Sequence, residues 1–435
     1  MERRDCVVVG GGLAGLAAAF RLVSAGRSVT VLERAQDLGG RARSTDVAGV
    51  PADLGFQSIF TAYAEASRFL SDIGLRGRDL VAFGRGAVLH DGIDWQQMQL
   101  SPRALRRFRA FTTGDVVRLG RLATEVRTQS CTALLSSDAQ YETMEDHLRR
   151  RGFSGGAIEG FFRPLFGVIT LDRDLHSDAG YFRFLMRMLV EGRAAIPVEG
   201  HGMIAAWAAA AIRQRGGRVR TGAEVTRLTM GADGRADGVE LADGTHVLAA
   251  NVVVAAEAPA ARELLAPVDA ECAARLAVTP AGVTTLVYAL DRSFHRGRTI
   301  VLNAAPGDAR PRVDLVCQES NLTRPDAGAP YVLLATSVHD GEEAPDVAAL
   351  EGEMARVAGR WNPGYDWGRH SRLAEVVVHP YAQFRVPPGV RRDLPGPRTR
   401  VANVLLAGDV THHPSIEGAV ASGNAAADIV SALVA

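Results

Sequence analysis

Runs of apolar residues alternate with a helical pattern over the first 34 residues of the chain. Residues 6–10, CVVVG, form a short β-branched run that ends at glycine, which predicts a buried parallel strand. Residues 13–25 are rich in alanine and leucine and stop before Gly26, which predicts a helix. Residues 28–34, SVTVLER, predict the next strand. The chain therefore opens with a βαβ unit.

Strand patterns return in the middle and at the end of the chain. Residues 218–256 contain ADG turns, which predict hairpins, and close on VVVAA, which predicts another parallel strand. Residues 280–290 and 331–338 predict strands of a second sheet. Residues 401–409, VANVLLAGD, predict a last buried strand, and 417–434 a last helix.

Residues 57–195 have a helical pattern, most clearly at 101–127, which we predict to be one amphipathic helix. Apolar residues recur there at helical spacing, at positions 105, 108, 111, 116, 119, 122 and 126. Its basic face has two interpretations, a solvated helix face or a peripheral membrane contact. In the second interpretation, anionic headgroups would meet five arginines, namely Arg106, Arg107, Arg109, Arg118 and Arg121.

These patterns predict an α/β fold with two discontinuous domains. The first is a nucleotide-binding domain, and the second is a substrate domain of mixed sheet and helices. We expect the first domain to comprise residues 1–56, 196–265 and 396–435. The substrate domain would comprise residues 57–195 and 266–395.

Composition narrows the chemistry. Basic and acidic residues balance at 49 each, so no net field favours nucleic acid, and we expect no nucleic-acid partner. All of the basic residues are arginine, which excludes lysine Schiff-base or general-base catalysis. The four cysteines are widely separated, so we expect neither a metal site nor a disulfide framework. The start of the chain lacks a signal-peptide pattern and no run of about 18 apolar residues occurs, so we expect a cytoplasmic protein.

A glycine motif lies between the first strand and helix. GGGLAG places Gly10, Gly12 and Gly15 in G-x-G-x-x-G spacing, with Leu13 and Ala14 between them. Such glycines allow a tight turn, a close approach of pyrophosphate to the backbone, and close packing of helix on strand. A turn of this kind can also exist without a ligand, but here the flanking strand and helix favour a dinucleotide.

The second strand ends on an acid that suits a ribose. Glu33 lies 18 residues beyond Gly15, where a carboxylate accepts hydrogen bonds from ribose hydroxyls. The sequence continues ERAQDLGGRARS, in which Gly39 and Gly40 let the backbone approach a cofactor. In this interpretation Arg41 pairs with the pyrophosphate and Arg43 faces a flavin ring or a substrate. The alternative is a surface loop with solvated arginines.

These motifs and the stretch LLAGDVTHHPSIEGAVASGNAAA resemble those of the flavin-dependent amine oxidase and phytoene desaturase superfamily, in order and spacing. The resemblance covers about the first sixty and last forty residues well, and the middle only in layout. It implies a Rossmann-type FAD-binding domain of the glutathione-reductase kind, with a discontinuous α+β substrate domain. It also implies FAD, which we expect to be non-covalent, because no cysteine follows Cys317.

The resemblance also assigns residues to the cofactor. Gly408 and Asp409 would lie near the ribityl and pyrophosphate groups, and Val225 on the strand that meets the adenine. Gly55 and Phe56 belong to DLGFQ, which would run beside the flavin. A turn formed by Glu417, Gly418, Ala419 and Val420 would start a helix aimed at the flavin pyrimidine, whose N-terminus stabilises negative charge on reduced flavin. Arg34 follows the ribose acid.

Within the superfamily the sequence is most similar to the desaturase branch. That branch includes phytoene desaturases, carotene isomerases and hydroxysqualene dehydroxylases. The C-terminal stretch and YAQFRVPPG (381–389) resemble that branch, and the absent lysine disfavours amine oxidases that place one near flavin N5. We therefore expect an FAD-dependent desaturase or dehydrogenase of a lipophilic isoprenoid or polyene-like molecule, with hydride transfer to N5.

Few residues are candidates for catalysis or substrate contact. His412 and His413 would lie near the flavin ring as proton acceptors, or would only shape the turn before Pro414. Further pocket candidates are Gln57, Tyr381, Arg163 and Phe166. Phe161, Phe162 and Phe166 suit a hydrophobic core as well as a pocket. Arg163 requires a partner, which we expect to be Asp172, Asp174 or an acidic group of the substrate.

Three other functions fit the same motifs. An amine or amino-acid oxidase would release peroxide with a water-soluble amine. A redox-neutral isomerase would use reduced flavin and need no net electron acceptor. A non-catalytic FAD-containing binding or escort protein would hold a flavin that no small molecule reduces. The electron acceptor, whether oxygen, a quinone or a nicotinamide, is not indicated by the sequence.

Overall fold

A computed structural model of the chain describes residues 3–84, 86–98, 102–105, 107–306, 312–341 and 345–434. It contains two large sheets, and the predicted βαβ unit belongs to the first of them. The strands are β1 Arg4–Val9, β2 Val29–Leu32, β3 Ser44–Val47, β4 Val50–Asp53, β5 Ile59–Phe60, β6 Leu80–Ala82, β7 Ala87–His90, β8 Trp95–Met98, β9 Ala194–Pro197, β10 Arg218–Arg220, β11 Val225–Met230, β12 Ala236–Leu241, β13 His246–Val254, β14 Pro280–Leu290, β15 Val301–Asn303, β16 Leu315–Cys317, β17 Tyr331–Asp340, β18 Ser371–Phe384 and β19 Val404–Leu406.

Helices fill the connections. They are α1 Leu13–Ser24, α2 Ala64–Asp72, α3 Pro102–Leu105, α4 Thr113–Thr128, α5 Cys131–Leu135, α6 Met144–Arg150, α7 Gly155–Ala157, α8 Arg163–Ile169, α9 Ala179–Glu191, α10 Gly202–Gln214, α11 Ala258–Leu265, α12 Ala270–Arg275, α13 Ser320–Thr323, α14 Val347–Trp361, α15 Trp367–His370, α16 Val390–Asp393 and α17 Ile416–Val434. A π-helical turn, Ile158–Phe162, precedes α8, and 3-10 turns occur at Gly77–Asp79, Asp138–Tyr141 and Asp409–Thr411.

The first sheet is parallel in the order β10, β2, β1, β13 and β19. Strands β11 and β12 extend β13 as antiparallel hairpins, whose turns contain the ADG sequences at 232–234 and 242–244. The ADG at 236–238 is not a turn, because it lies within β12. The middle strand β1 is fully buried over its last four residues, as expected for a strand covered on both faces. Three separate stretches of the chain therefore build one sheet, which confirms an α/β fold.

The second large sheet has the order β18, β14, β17, β16, β15, β7 and β8. It is antiparallel except where β15 runs parallel to β7. The predicted strands 280–290 and 331–338 pair here as β14 and β17 over ten register positions. Helix α14 packs through Met354 and Val357 onto apolar residues of this sheet. A third, small antiparallel sheet has the order β5, β9 and β6.

The prediction of one helix over residues 101–127 is wrong, because the segment forms α3 and α4 with a break between them. Thr112 begins α4 as a capping box, since its hydroxyl accepts from the Asp115 amide at 3.2 Å and Asp115 accepts from the Thr112 amide at 2.9 Å. The predicted apolar positions are nevertheless buried or half-buried. Arg107, Arg109 and Arg121 are exposed and Arg118 is half-buried, while Arg106 lies outside the described residues.

Candidate functional site

A cavity of about 1550 Å³ runs from the carboxyl ends of β1 and β2 to the helices α4, α8 and α9. Ligands of open parallel sheets bind beyond the carboxyl ends of the strands. The predicted cofactor residues in the cavity wall are Gly10, Gly12, Leu13, Ala14, Glu33, Arg34, Gly39, Gly40, Arg41, Gly55, Phe56, Val225, Gly408, Asp409 and Ala419. Residues from the start, middle and end of the chain therefore meet in one cavity.

The glycine motif has two glycines with opposite surroundings. A β-carbon at Gly15 would lie 2.0 Å from the carbonyl oxygen of Gly10, so the packing of α1 on β1 requires glycine there. A β-carbon at Gly12 would meet nothing within 4 Å. Gly12 is the N-cap of α1, and no side chain caps this helix. The helix N-terminus is thus open to an anion from the cavity.

Glu33 is held in place at the end of β2. Its carboxylate accepts from the Gly11 amide at 2.6 Å and from the Ala35 amide at 2.8 Å. These bonds fix the acid in the cavity wall beside the glycine turn. A carboxylate oriented by backbone amides is suited to accept hydrogen bonds from a ribose.

The Gly-Gly-Arg loop connects the start of the chain to its end. Gly39 and Gly40 have backbone φ angles of 108° and 61°, which residues other than glycine rarely adopt. The Arg41 guanidinium donates to Asp409 at 3.0 Å and to the Ala382 carbonyl at 2.9 Å, and it lies 3.9 Å from Glu257. Although burial opposes the charge, Asp409 raises the pKa of Arg41, which stays cationic.

Of the C-terminal turn, residues 417–420, one residue lines the cavity and the others stabilise the fold. Ala419 lines the cavity, whereas Glu417 turns away from it and accepts from the amides of Ala64, Glu65 and Ala66 at 2.8–3.1 Å. Glu417 therefore caps α2. A β-carbon at Gly418 would lie 2.2 Å from the His413 carbonyl oxygen, so the turn requires glycine. Val420 is buried in the core.

Beyond the polar region the cavity wall becomes apolar. We call this part the apolar tract, and three helices provide most of it. It consists of Val116, Leu119, Gly120 and Ala123 of α4, Leu165, Val168 and Ile169 of α8, and Leu185, Met186, Leu189 and Val190 of α9, with Phe161 and Leu171. Among the wall residues of these helices only Glu191 is charged, and it accepts from Arg187 at 2.9 Å.

A sequence model of the flavin containing amine oxidoreductases matches residues 13–431. The chain belongs to this family. FAD is therefore its cofactor, and the chain is an oxidoreductase. The wall fits that cofactor, because space remains at Gly12, the α1 N-terminus is uncapped, and two backbone amides hold Glu33 in the cavity wall. Gly12, Glu33 and the Arg41 loop would hold FAD, which supplies a two-electron hydride acceptor when bound.

Curated relatives of this chain have diverse activities. Coproporphyrinogen III oxidase of Mycobacterium tuberculosis is 34% identical over 93 residues, which is 21% of each chain. Phytoene desaturase (neurosporene-forming) of Rhodobacter capsulatus is 28% identical over 300 residues, 58% of this chain and 52% of the relative. Putrescine oxidase of Kocuria rosea is 46% identical over 72 residues, 17% of this chain and 15% of the relative. The matched parts thus span from about a seventh to about half of these relatives.

Solved structures share the whole fold. An oxidoreductase from Methanosarcina mazei superposes with a TM-score of 0.76 at 17% identity, covering 97% of this chain and 99% of the other. Cyclohexylamine oxidase from Brevibacterium oxydans superposes with a TM-score of 0.72 at 18% identity, covering 100% of both chains. At such identities the likeness establishes the fold alone.

Two of the predicted pocket residues lie elsewhere. Arg163 is outside the cavity wall, and its partners are Glu159 at 2.7 Å and Glu145 at 3.3 Å, so the expected pairing with Asp172 or Asp174 is wrong. Glu159 precedes Arg163 by four residues and so lies on the same side of the helical turn. Phe166 is fully buried and contacts Phe182 with ring centroids 4.8 Å apart, so it belongs to the core.

The other pocket candidates lie at or beside the polar end of the cavity. Gln57 lines the wall and donates to the Arg41 carbonyl at 2.6 Å. Tyr381 is not a wall residue, but its ring lies under the Arg41 guanidinium, 5.6 Å from the centroid. It therefore supports the position of Arg41.

The two C-terminal histidines do not line the cavity. His412 is exposed. His413 is buried against Phe184, with ring centroids 4.6 Å apart, and its Nδ1 lies 3.0 Å from the Ser415 hydroxyl. Burial lowers the pKa of His413 to about 3, so the ring is neutral at ordinary pH. In this position it shapes the turn before Pro414.

Sequence reasoning missed one histidine in the wall, His379. Its Nε2 lies 2.8 Å from the Leu54 carbonyl oxygen, and its ring packs on Gly55. Alternation along the strand could not have found it, because the pairing of β18 with β14 is irregular between His379 and Gln383. Burial lowers the pKa of His379, and the nearby Arg43 and Arg41 lower it further.

The described residues show no metal cluster and no membrane span. No group of three or more histidine, cysteine, aspartate or glutamate side chains there could hold a metal ion. None of the described helices is both long and apolar enough to cross a bilayer.

Proposed function

We propose that this flavoprotein dehydrogenates or desaturates a lipophilic small molecule of isoprenoid or polyene type. The observation that carries the proposal is the apolar tract, where α4, α8 and α9 enclose the cavity with aliphatic side chains. Burial of apolar ligand surface against such a wall contributes about 25 cal/mol per Å². A charged amine would lose its hydration there without gaining a counterion, since Glu191 already pairs with Arg187.

The proposal assigns the two regions of the cavity different tasks. The glycine motif, Glu33 and the Arg41 loop hold FAD non-covalently. A substrate domain of α+β type is built around the second large sheet. The apolar tract positions the carbon that loses hydride and keeps water away from it. The phytoene desaturase of Rhodobacter capsulatus, matched over 58% of this chain, supports this substrate class.

An amine oxidase is the second candidate. Putrescine oxidase of Kocuria rosea is 46% identical over 72 residues, and a cyclohexylamine oxidase shares the whole fold. The absence of lysine and the uncharged tract place it second. Entry of the substrate from a membrane along the basic face of residues 107–121, where Arg107, Arg109 and Arg121 are exposed, belongs to the same proposal.

Anaerobic bleaching of the flavin tests the substrate class. The purified yellow protein is mixed with the organic-soluble and the water-soluble fractions of a bacterial cell extract, and absorbance near the flavin maximum is followed. We expect bleaching by the organic fraction. Bleaching by the aqueous fraction alone would overturn the proposal and favour an amine oxidase.

Two neighbouring residues of α4 provide a matched pair of variants. Val116 lines the apolar tract, whereas Val117, the next residue of the same helix, is 52% exposed and does not line the cavity. Val116→Arg places a charge in the tract, and we expect it to slow bleaching by the organic fraction at least tenfold, while Val117→Arg should leave it unchanged. Equal effects of the two substitutions would show that the tract does not bind the reductant.

A further inference from the structure

His379 is the one histidine of the described residues that lines the cavity. It lies on β18, opposite Val283 of β14, which also lines the wall. On its other side it contacts Gly55, whose φ of 117° brings the Leu54–Gly55 backbone close to the ring. Val283 in turn packs with Leu171 and Val168 of the apolar tract. The imidazole therefore lies between the polar end of the cavity, where the Arg41 loop would hold FAD, and the apolar tract.

The surroundings of the ring fix its tautomer. A carbonyl oxygen only accepts hydrogen bonds, so the contact of 2.8 Å to the Leu54 carbonyl requires Nε2 to carry the hydrogen. In the neutral ring, Nδ1 then keeps its lone pair. None of the described residues donates a hydrogen bond to Nδ1, so this nitrogen is free to accept a proton.

The charges around the ring keep it neutral before reaction. Arg41 and Arg43, on the loop after β2, are the charged groups near it, and they lower its pKa together with burial. The facing residue of β14 is Val283, which is uncharged. A neutral imidazole with a free lone pair at neutral pH is the usual form of a general base.

Other bases in this part of the wall are occupied. Asp409 accepts from Arg41 at 3.0 Å, and Glu257 lies 3.9 Å from the same guanidinium. Glu33 accepts from two backbone amides. Burial raises the pKa of the Tyr63 phenol, which therefore stays protonated. His379 is left as the group that can receive a proton where the cofactor region meets the apolar tract.

We propose that Nδ1 of His379 accepts the proton that the substrate loses. The inference rests on the proposed function. In a two-electron dehydrogenation, one C–H bond of the substrate breaks and its electron pair leaves as a hydride to oxidised FAD. The bond from the neighbouring atom to hydrogen breaks as well, its electrons form the new double bond, and its proton passes to Nδ1. The substrate is oxidised and FAD reduced by two electrons each.

The tautomer is tested without substrate. Protein labelled with ¹⁵N-histidine, as apoprotein and loaded with FAD, is titrated by long-range ¹H–¹⁵N correlation, and the His379→Gln variant identifies the signal. We expect the Nε2–H tautomer with a pKa below the ordinary value of 6.5. An Nδ1–H tautomer, or a ring that is charged at pH 7, would overturn the proposal.

The proton transfer is tested by anaerobic stopped-flow reduction of the holoprotein with whichever extract fraction bleaches it. Glutamine can still donate to the Leu54 carbonyl but does not titrate. We expect His379→Gln to reduce flavin 10²–10⁴-fold more slowly and to lose the acidic limb of the rate profile. Light-driven reduction with EDTA should be unaffected. Exposed His176→Gln is the matched control and should leave both rates unchanged.

The outcomes separate this inference from the proposed function. Wild-type rates and an unchanged pH profile in His379→Gln would overturn the role of His379, whichever fraction is active. Activity with the aqueous fraction alone would overturn the substrate class. The comparison of His379→Gln with wild type in that fraction would then still decide the role of the histidine.

Discussion

Gly12→Ala separates cofactor binding from folding, because the structure leaves open space at this glycine. A β-carbon there meets no protein atom within 4 Å, and the φ of −73° suits any residue. Alanine at an N-cap costs about 0.5 kcal/mol relative to glycine. Restriction of the unfolded chain offsets about 0.4–1 kcal/mol. The free energy of unfolding of the apoprotein should therefore change by less than about 1 kcal/mol.

Affinity for FAD should respond differently. The added methyl group occupies the open space at Gly12, where we expect the diphosphate to bind, and overpacking of this kind costs about 1–3 kcal/mol. At about 1.4 kcal/mol for each factor of ten, the Kd of FAD should rise roughly 5- to 150-fold. Fluorescence titration of the apoprotein with FAD measures the Kd, and urea unfolding measures stability.

Gly15→Ala is the matched comparison within the same motif. Its β-carbon would lie 2.0 Å from the Gly10 carbonyl oxygen, so α1 or β1 must move and the apoprotein itself should lose about 1–3 kcal/mol or more. The reasoning is refuted if Gly12→Ala binds FAD like wild type. It is equally refuted if Gly12→Ala destabilises the apoprotein as much as Gly15→Ala does.

Three further substitutions have distinct expected results. Glu33→Ala should raise the Kd of FAD at least tenfold in the same titration, and full flavin occupancy would contradict the ribose contact. Glu417→Ala should lower the free energy of unfolding by about 1–2 kcal/mol through loss of the α2 cap, with the Kd of FAD within twofold of wild type. Burial and the neighbouring Asp53 raise the pKa of Glu319 well above its usual 4.5. The folded state therefore holds the Glu319 proton more tightly than the unfolded state does, and this contribution to the free energy of unfolding is fully present below pH 4.5 and decreases as pH rises. Glu319→Gln should therefore gain stability over wild type as pH rises from 5 to 8, by up to about 1.4 kcal/mol per pH unit in urea unfolding, and a constant difference would argue against a neutral Glu319.

The elements built from neighbouring residues could be predicted from the sequence. The strand, helix and strand at the start agree with β1, α1 and β2 to within two residues at each end. Their signals are local, namely β-branched runs, a helical stretch rich in alanine and glycines at the boundaries. The hairpins at the ADG turns agree for the same reason. The family also followed from motifs that are local in sequence.

The predictions were wrong where a local capping signal was overlooked, and where several acidic residues could have paired with one arginine. The helix predicted over 101–127 ignored the capping box that Thr112 forms with Asp115, which starts a new helix. The partner of Arg163 was sought downstream, although Asp172 is already bonded to the Ser177 amide at 2.6 Å. Glu159 was available one helical turn away. Periodicity indicates which face is apolar, but not which polar groups remain free.

Whether a side chain faces the cofactor region depends on the direction in which its helix or strand runs, and not on how near it lies to the motifs in the sequence. Glu417, inside the C-terminal motif, turns outward to cap α2, while His413, four residues earlier, packs on Phe184. His379 precedes this motif by about thirty residues, yet it enters the wall because its strand passes beside Leu54. The Arg41–Asp409 pair is likewise formed by residues 368 positions apart. Because the site exists only when the distant segments have come together, FAD bound at their junction stabilises the folded chain relative to separated segments. A proton acceptor on β18 is then aligned by the same fold that closes the cofactor site.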